Sequence, residues 1–205
     1  MIKIFVYSVI TASLSCGAPS KKPTNIIGGD ESNTTNIPTK TDPVTNPVII
    51  EPVIPKGAVT GDFNGDLKKF YAQISRVDTR HEKTYISFEG KRYPDLVIPK
   101  TLGGSLSAIV LEGFDRDLLL VTSKIKDPNF NKYHLYILRN KKWKPVVNGF
   151  AIHKSNLRQV DTPIKLDPNN LNNVLRYYSV FNLDKGSPTG YSWLLQTESI
   201  PIDNR

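Results

Sequence analysis

The stretch that decides the fold is residues 133–147, which read YHLYILRNKKWKPVV. Residues 133–138 are aromatic and aliphatic side chains that favour a β-strand. The polar run Asn140, Lys141 and Lys142 is typical of a turn, and apolar residues resume at Trp143. The stretch therefore predicts a β-hairpin whose second strand covers residues 143–147.

Similar strand signals recur through the rest of residues 57–205. Residues 118–123 are continuously apolar enough to predict a strand buried on both faces. Residues 89–91 predict a tight hairpin turn, and no stretch shows a long helical period. We expect an antiparallel all-β domain at 57–205 with about ten strands, arranged as a β-sandwich or as propeller-blade-like sheets. The other predicted strands are 67–77, 83–89, 91–98, 106–111, 164–166, 174–182 and 191–197.

Residues 1–15 have the order of a secretory signal peptide. Lys3 supplies a positive charge, an apolar core follows at 4–10, and small residues lead to Cys16, the one cysteine of the chain. The run 13–17 resembles a bacterial lipobox, although Ser13 and Leu14 depart from its usual residues. The resemblance implies that Cys16 is lipidated and becomes the mature N-terminus. The alternative is an ordinary signal peptide that ends in a cysteine.

Residues 16–56 differ in composition from the rest of the chain. They are rich in proline, threonine and asparagine and nearly lack aromatic side chains, so we expect a lipidated Cys16 followed by a flexible tether. Gly17 follows the cysteine in place of an aspartate, which favours the outer membrane over retention at the inner membrane. The expected location is therefore the bacterial cell envelope, with the chain anchored through its N-terminal lipid.

The 205 residues carry a net charge of +8, with a pI of about 9.5. A basic exported domain favours anionic partners such as membrane headgroups or an anionic glycan, or an envelope protein complex. We expect no nucleic acid partner, because an exported protein seldom meets one. A single cysteine also excludes an intramolecular disulfide, so the core must hold the domain.

A polar loop at residues 61–66 carries the sharpest motif, Gly-Asp-Phe-Asn-Gly-Asp. With the later run 111–121, it resembles the start of an FG-GAP or VCBS-type blade, as in small lipoproteins of the Bacteroidota that carry such repeats. The resemblance implies a calcium loop with Asp62, Asn64 and Asp66 as ligands. Leu67 replaces the usual glycine, however, and Arg116 in the second loop would repel a cation. A polar Asx-type turn is the favoured alternative, so Ca²⁺ is a possible cofactor and no other is expected.

Other candidate side chains lack a recognisable catalytic pattern. His81, His134 and His153 are far apart in the sequence, and no Gly-x-Ser-x-Gly motif accompanies them. Trp143 and Trp193 are of a type that stacks on sugar rings, although such residues also close β cores.

Three functions remain open at this level. The first is a lipid-anchored, non-enzymatic envelope domain with a binding or assembly role. The second is a glycan-binding or glycan-processing lipoprotein that uses an aromatic face. The third is a calcium-stabilised structural blade domain.

Overall fold

The computed structural model describes residues 53–203. The predicted signal peptide at 1–15, the predicted lipidation site Cys16 and all but the last residues of the predicted tether 16–56 lie outside that range. Within the range, no helix has both the length and the apolar character needed to span a bilayer.

The described residues form three antiparallel sheets, which confirms the predicted all-β fold class. Each sheet is built from consecutive strands, so local hairpins generate most of the pairing. The first sheet runs in the order β1 (Val59–Gly61), β2 (Phe70–Asp78), β3 (Lys83–Phe88) and β4 (Leu96–Pro99). The second runs β5 (Gly104–Ile109), β6 (Leu118–Lys124), β7 (Phe130–Arg139) and β8 (Lys142–His153). The third has β10 (Asn173–Leu183) between β11 (Tyr191–Pro201) and β9 (Ile164–Leu166), and two short 3-10 helices occupy Glu89–Lys91 and Lys154–Gln159.

The second sheet is the middle layer, because β6 is buried on both faces. Leu118 and Leu120 pack with side chains of the third sheet, including Val174. Leu119 and Val121 point the other way, into a cluster with the aromatic side chains of the first sheet. The predicted two-sided burial of this strand is therefore confirmed.

The predicted hairpin at 133–147 is present as β7 and β8. Its turn has two residues, Asn140 and Lys141, with φ values of 50° and 61°, where the sequence predicted three. Two positive φ angles match the twist of the flanking strands.

Strand β8 continues to His153, well beyond the predicted end at residue 147. Gly149 reads as a strand breaker in sequence. Here it lies within the strand and leaves room for a neighbour, because a Cβ at this position would lie 3.0 Å from ring atoms of His134 on β7.

The predicted tight turn between β3 and β4 is wrong. The two strands do pair, from Lys83 with Pro99 to Ile86 with Leu96, but the connection spans residues 89–95. Pro94 lies in this connection, where its missing N–H removes no ladder hydrogen bond.

The long hairpin of β10 and β11 completes the fold. Its eleven paired positions run from Asn173 with Pro201 to Leu183 with Tyr191. The strand end at Val174 is buried against the middle sheet, whereas the hairpin tip carries exposed apolar side chains such as Phe181 and Leu183.

We predict that Gly104→Ala destabilises the domain by about 3 kcal/mol or more, since both overpacking and backbone strain apply. Gly104 has φ +152°, and a Cβ there would lie 2.0 Å from the carbonyl oxygen of Thr122 on β6. The measurement is urea unfolding of the purified chain.

Gly186→Ala is the matched control. Its Cβ would make only an ordinary 3.4 Å contact with Asp184 in the β10–β11 loop, so the change should stay within about 0.5 kcal/mol. Equal unfolding midpoints for the two variants would show that the close approach of β5 to β6 is not required.

Candidate ligand-binding surface

The loop that carries the predicted calcium ligands is organised by Asp62. One oxygen of its carboxylate accepts the N–H groups of Gly65 and Asp66 at 2.9 and 3.1 Å, and the other accepts that of Leu67 at 3.0 Å. Asp66 accepts the N–H of Lys68 at 2.8 Å, and this bond is the main cause that lowers the pKa of Asp66. The loop is thus held by its own backbone donors, and the bond from Lys68 to Asp66, two residues apart, has the spacing of an Asx turn.

The loop that contains Arg116, the second loop of the resemblance, lies directly beside the loop at residues 61–66. The Asp117 carboxylate accepts the N–H of Asp62 at 2.8 Å, and the Asp117 N–H donates to the Asp62 carbonyl at 3.0 Å. Arg116 forms a two-point pair with Asp115 and also donates to the carbonyl of Leu138 at 2.7 Å. This pairing with Arg116 holds the pKa of Asp115 well below its usual value.

The charge of Arg116 bears on calcium binding. Asp62 is among the groups that raise the pKa of the Arg116 guanidinium, so the cation already interacts with the loop. Within residues 53–203, no group of three or more His, Cys, Asp or Glu side chains is placed to hold a metal ion. Asn64 Oδ1 is buried without a hydrogen-bond partner. The geometry favours the Asx-type turn, and calcium at Asp62, Asn64 and Asp66 stays a prediction.

The three histidines have three different environments. His81 pairs with Asp78 at 2.9 Å near the β2–β3 turn, and His153 ends β8. Burial lowers the pKa of His134 to about 4, with the Lys132 charge as a second cause. His134 is therefore neutral at ordinary pH, in agreement with a packed strand residue.

The two tryptophans, grouped together by the sequence, have different roles. Trp143 stacks on Phe88 at 4.7 Å and meets Phe63 edge-on at 5.6 Å, so it belongs to the core between the first two sheets. Trp193 lies on β11 and lines a surface cavity.

An aromatic cluster surrounds Trp193. Its ring stacks on His153 at 5.3 Å and meets Phe130 and Phe181 edge-on at 4.8 and 5.7 Å. Phe181 also stacks on Tyr191, and both rings are substantially exposed. We call Phe130, His153, Phe181, Tyr191 and Trp193 the aromatic cluster.

A buried amide fixes the cluster to the middle sheet. Asn156, in the second 3-10 helix, donates to the Ser179 hydroxyl at 2.9 Å and to the Trp193 carbonyl at 3.0 Å. The N–H of His153 donates to the same hydroxyl at 2.9 Å. These bonds join the end of β8 to both strands of the C-terminal hairpin.

The cluster opens into a cavity of about 330 Å³. Its wall combines two large rings and an imidazole with three hydroxyl-bearing side chains, which suits a ligand with both apolar faces and hydroxyl groups. The lining residues are His153, Ser155, Thr189, Tyr191, Ser192 and Trp193. We call this space the aromatic cavity.

Ser155 and His153 lie within hydrogen-bond distance inside this cavity. The Ser155 hydroxyl is 2.8 Å from His153 Nδ1, but the N–H of Ser155 also donates to that nitrogen, at 3.2 Å. The nitrogen lone pair therefore caps the 3-10 helix, and Nε2 carries the proton of the neutral ring. Within residues 53–203, no carboxylate is hydrogen-bonded to His153 to orient it as a catalytic base.

Sequence reasoning identified Trp193 and missed most of its partners. Phe130, His153 and Trp193 are separated by at least 23 residues and converge only because three strands meet.

In comparisons with known proteins, no family model matches the chain, and neither a curated protein nor a solved structure matches it significantly.

We predict that Leu67→Gly stabilises the domain and raises its melting midpoint by about 2 °C. Leu67 has φ +66°, which is strained for a leucine, and its side chain is 93% exposed and loses no packing. Leu183→Gly, at an exposed leucine in strand β10, is the control and should lower the midpoint.

The same melting experiment tests calcium. We expect equal wild-type midpoints in EDTA and in millimolar Ca²⁺, because Asp62 is already engaged and Arg116 lies close. A midpoint several degrees higher in calcium would support the metal site.

Proposed function

We propose that the chain is a non-enzymatic, lipid-anchored domain of the bacterial cell envelope that binds its ligand at the aromatic cavity. The observation that carries the proposal is the cavity itself, in which exposed aromatic rings and hydroxyl groups line one concave space. Polar bonds from buried Asn156 hold its wall in place, so the site is preorganised and does not have to form on binding.

The sequence supports the anchor and the location. An apolar segment that ends at Cys16 fits a lipoprotein signal, and the residues that follow fit a tether long enough to lift the domain from a membrane. Two or three acyl chains anchor a protein stably, whereas a single chain gives only marginal, reversible membrane binding. Gly17 after the cysteine, in place of an aspartate, favours the outer membrane.

The chemistry of the cavity supports binding over catalysis. The one serine–histidine pair there is engaged in a local helix cap, with the Ser155 N–H on the nitrogen that a nucleophile would need. An assembly role would also use this surface, since exposed Phe181 and Tyr191 extend it beyond the cavity.

A glycan is the ligand class that the lining favours. A sugar ring presents an apolar face of C–H groups and an edge of hydroxyls. The rings of Trp193 and Tyr191 offer a surface for the former. The hydroxyls of Ser155, Thr189 and Ser192 each make at least one hydrogen bond within the chain and keep further lone-pair capacity for the latter.

We expect Trp193→Ala to weaken binding of envelope glycans at least tenfold, because it removes the largest ring of the cavity wall. The measurement is titration of the detergent-solubilised full chain against a panel of peptidoglycan, lipopolysaccharide and capsular fragments. Tyr85→Ala is the control, since this half-buried aromatic lies on the first sheet and stacks with Arg76 at 3.8 Å.

Binding that is equally strong in wild type and Trp193→Ala would remove the aromatic cavity as the site. If no glycan binds to the wild type, the glycan is removed as a ligand, and an assembly role remains to be tested by co-purification from native membranes.

We also expect Cys16→Ala to abolish labelling of the protein by a clickable fatty acid and to release it from the membrane fraction. The physical reason is that the thiol is the acceptor of the lipid and that the chain has no second cysteine. Equal labelling of the variant and the wild type would refute lipidation at Cys16.

A further inference from the structure

A second cavity lies where β6 turns into β7. It has a volume of about 470 Å³ and an amphipathic lining. Leu102, Ile125 and Phe130 are half-buried and form an apolar wall, whereas Lys124, Lys126 and Lys154 are exposed around it. We call this space the lysine cavity.

The charge around the lysine cavity is strongly positive. An adjoining cavity of about 380 Å³ shares Ile125 and Lys126 with it and adds Lys100 and Lys132. Five lysines thus line the two spaces, against two carboxylates, Glu82 and Asp127.

The carboxylates do not neutralise this excess. Glu82 pairs with Lys126 at 2.6 Å, and this bond raises the pKa of that lysine. Asp127 accepts the N–H of Asn129 at 2.9 Å within the turn. Within residues 53–203, none of the other four lysines forms an ion pair, so their charges are available to an anion.

Backbone bonds hold the segments that carry the lysines. Lys124 exchanges backbone hydrogen bonds with the preceding loop, through Leu102 at 2.7 Å and Gly103 at 2.9 Å. The N–H of Lys154 donates to the carbonyl of Asn129 at 2.8 Å. The points of attachment of Lys124 and Lys154 are therefore fixed around the cavity.

Phe130 connects the lysine cavity to the aromatic cavity. Its ring lines the former and contacts His153 and Trp193, which line the latter, at 5.0 and 4.8 Å. Lys154 is the next residue after His153. The two cavities are therefore neighbours, separated by the Phe130 ring.

We propose that the lysine cavity binds the phosphate group of a phosphorylated glycan whose sugar rings lie in the aromatic cavity. This inference rests on the proposed function and adds the charge class of the ligand. All five cations are lysines, and no arginine lines either space. Lysine binds phosphate as a compact point charge, without the two-point geometry that the fork of arginine imposes on phosphate and carboxylate alike.

The shape favours a glycan over a lipid surface. The apolar side chains of the lysine cavity are recessed and half-buried, so they cannot insert into a bilayer as exposed residues would. The concave wall instead suits a group that enters from the adjoining site.

The test uses the full-length chain in phosphatidylcholine nanodiscs, immobilised for binding measurements. The probes are a phosphorylated glucosamine disaccharide, its unphosphorylated form, inorganic phosphate, and phosphatidylglycerol vesicles. We expect the phosphorylated disaccharide to bind at least tenfold more tightly than the unphosphorylated form, and this preference to decrease steeply with salt.

Matched charge variants locate the site. Lys124→Gln/Lys154→Gln should reduce the phosphate preference below threefold and leave the affinity for the unphosphorylated disaccharide unchanged. Lys141→Gln/Lys142→Gln removes the same charge from the distant β7–β8 turn and should keep the full preference. An equal loss in both variants would overturn the proposal, because net charge alone would then explain it.

The remaining outcomes separate this inference from the proposed function. Equal, Trp193-dependent binding of the two disaccharides would overturn the phosphate site and leave the glycan function standing. Inorganic phosphate that binds as tightly as the phosphorylated disaccharide, with no effect of Trp193→Ala, would remove the glycan and therefore both proposals. Vesicle binding that depends on Lys124 and Lys154, without disaccharide binding, would assign the surface to a membrane and overturn the inference.

Discussion

The burial of β6 on both faces is the constraint on which the rest of the structure depends. Leu118 and Leu120 require a covering sheet on one side, and Leu119 and Val121 require another on the opposite side. A strand with four consecutive buried apolar side chains is stable only inside a three-layer arrangement. This requirement brings the first and third sheets onto the middle one without any disulfide, and each fully buried side chain contributes about 1.5–3 kcal/mol of hydrophobic free energy.

The C-terminal hairpin is attached to this core in a different way. Hydrophobic burial holds its base at Val174, but farther along the contact becomes polar, through Asn156 and Ser179, and aromatic, through Trp193. A surface held by hydrogen bonds and ring contacts can stay concave and partly exposed, whereas a purely apolar contact would close. This difference is why the aromatic cavity lies at the junction of the second and third sheets, beside the lysine-lined end of β6.

Features set by residues close together in the sequence could be predicted, whereas features set by contacts between distant residues could not. The β7–β8 hairpin and the two-sided burial of β6 were predicted because their signals lie within a few adjacent residues. The extent of β8 was not predicted, since Gly149 reads as a strand breaker until the ring of His134 is seen beside it. The prediction of a tight turn between β3 and β4 was wrong because it used only the residues of the turn. The length of the connection depends on where the two strands align.

The sequence by itself determined that the described part of this chain is antiparallel and all-β, because alternating and continuous apolar runs between turn residues allow little else. It also supplied the grounds on which a location in the cell envelope is proposed, since a signal peptide is recognised from a short continuous run of residues. Only the tertiary structure decided which tryptophan packs between two sheets and which lines a surface cavity, and which of the dispersed lysines share a cavity. Trp143 and Trp193 are chemically identical, but the ring of Trp143 stacks on Phe88 between the first two sheets, whereas the ring of Trp193 lines the aromatic cavity where β8 and β11 meet.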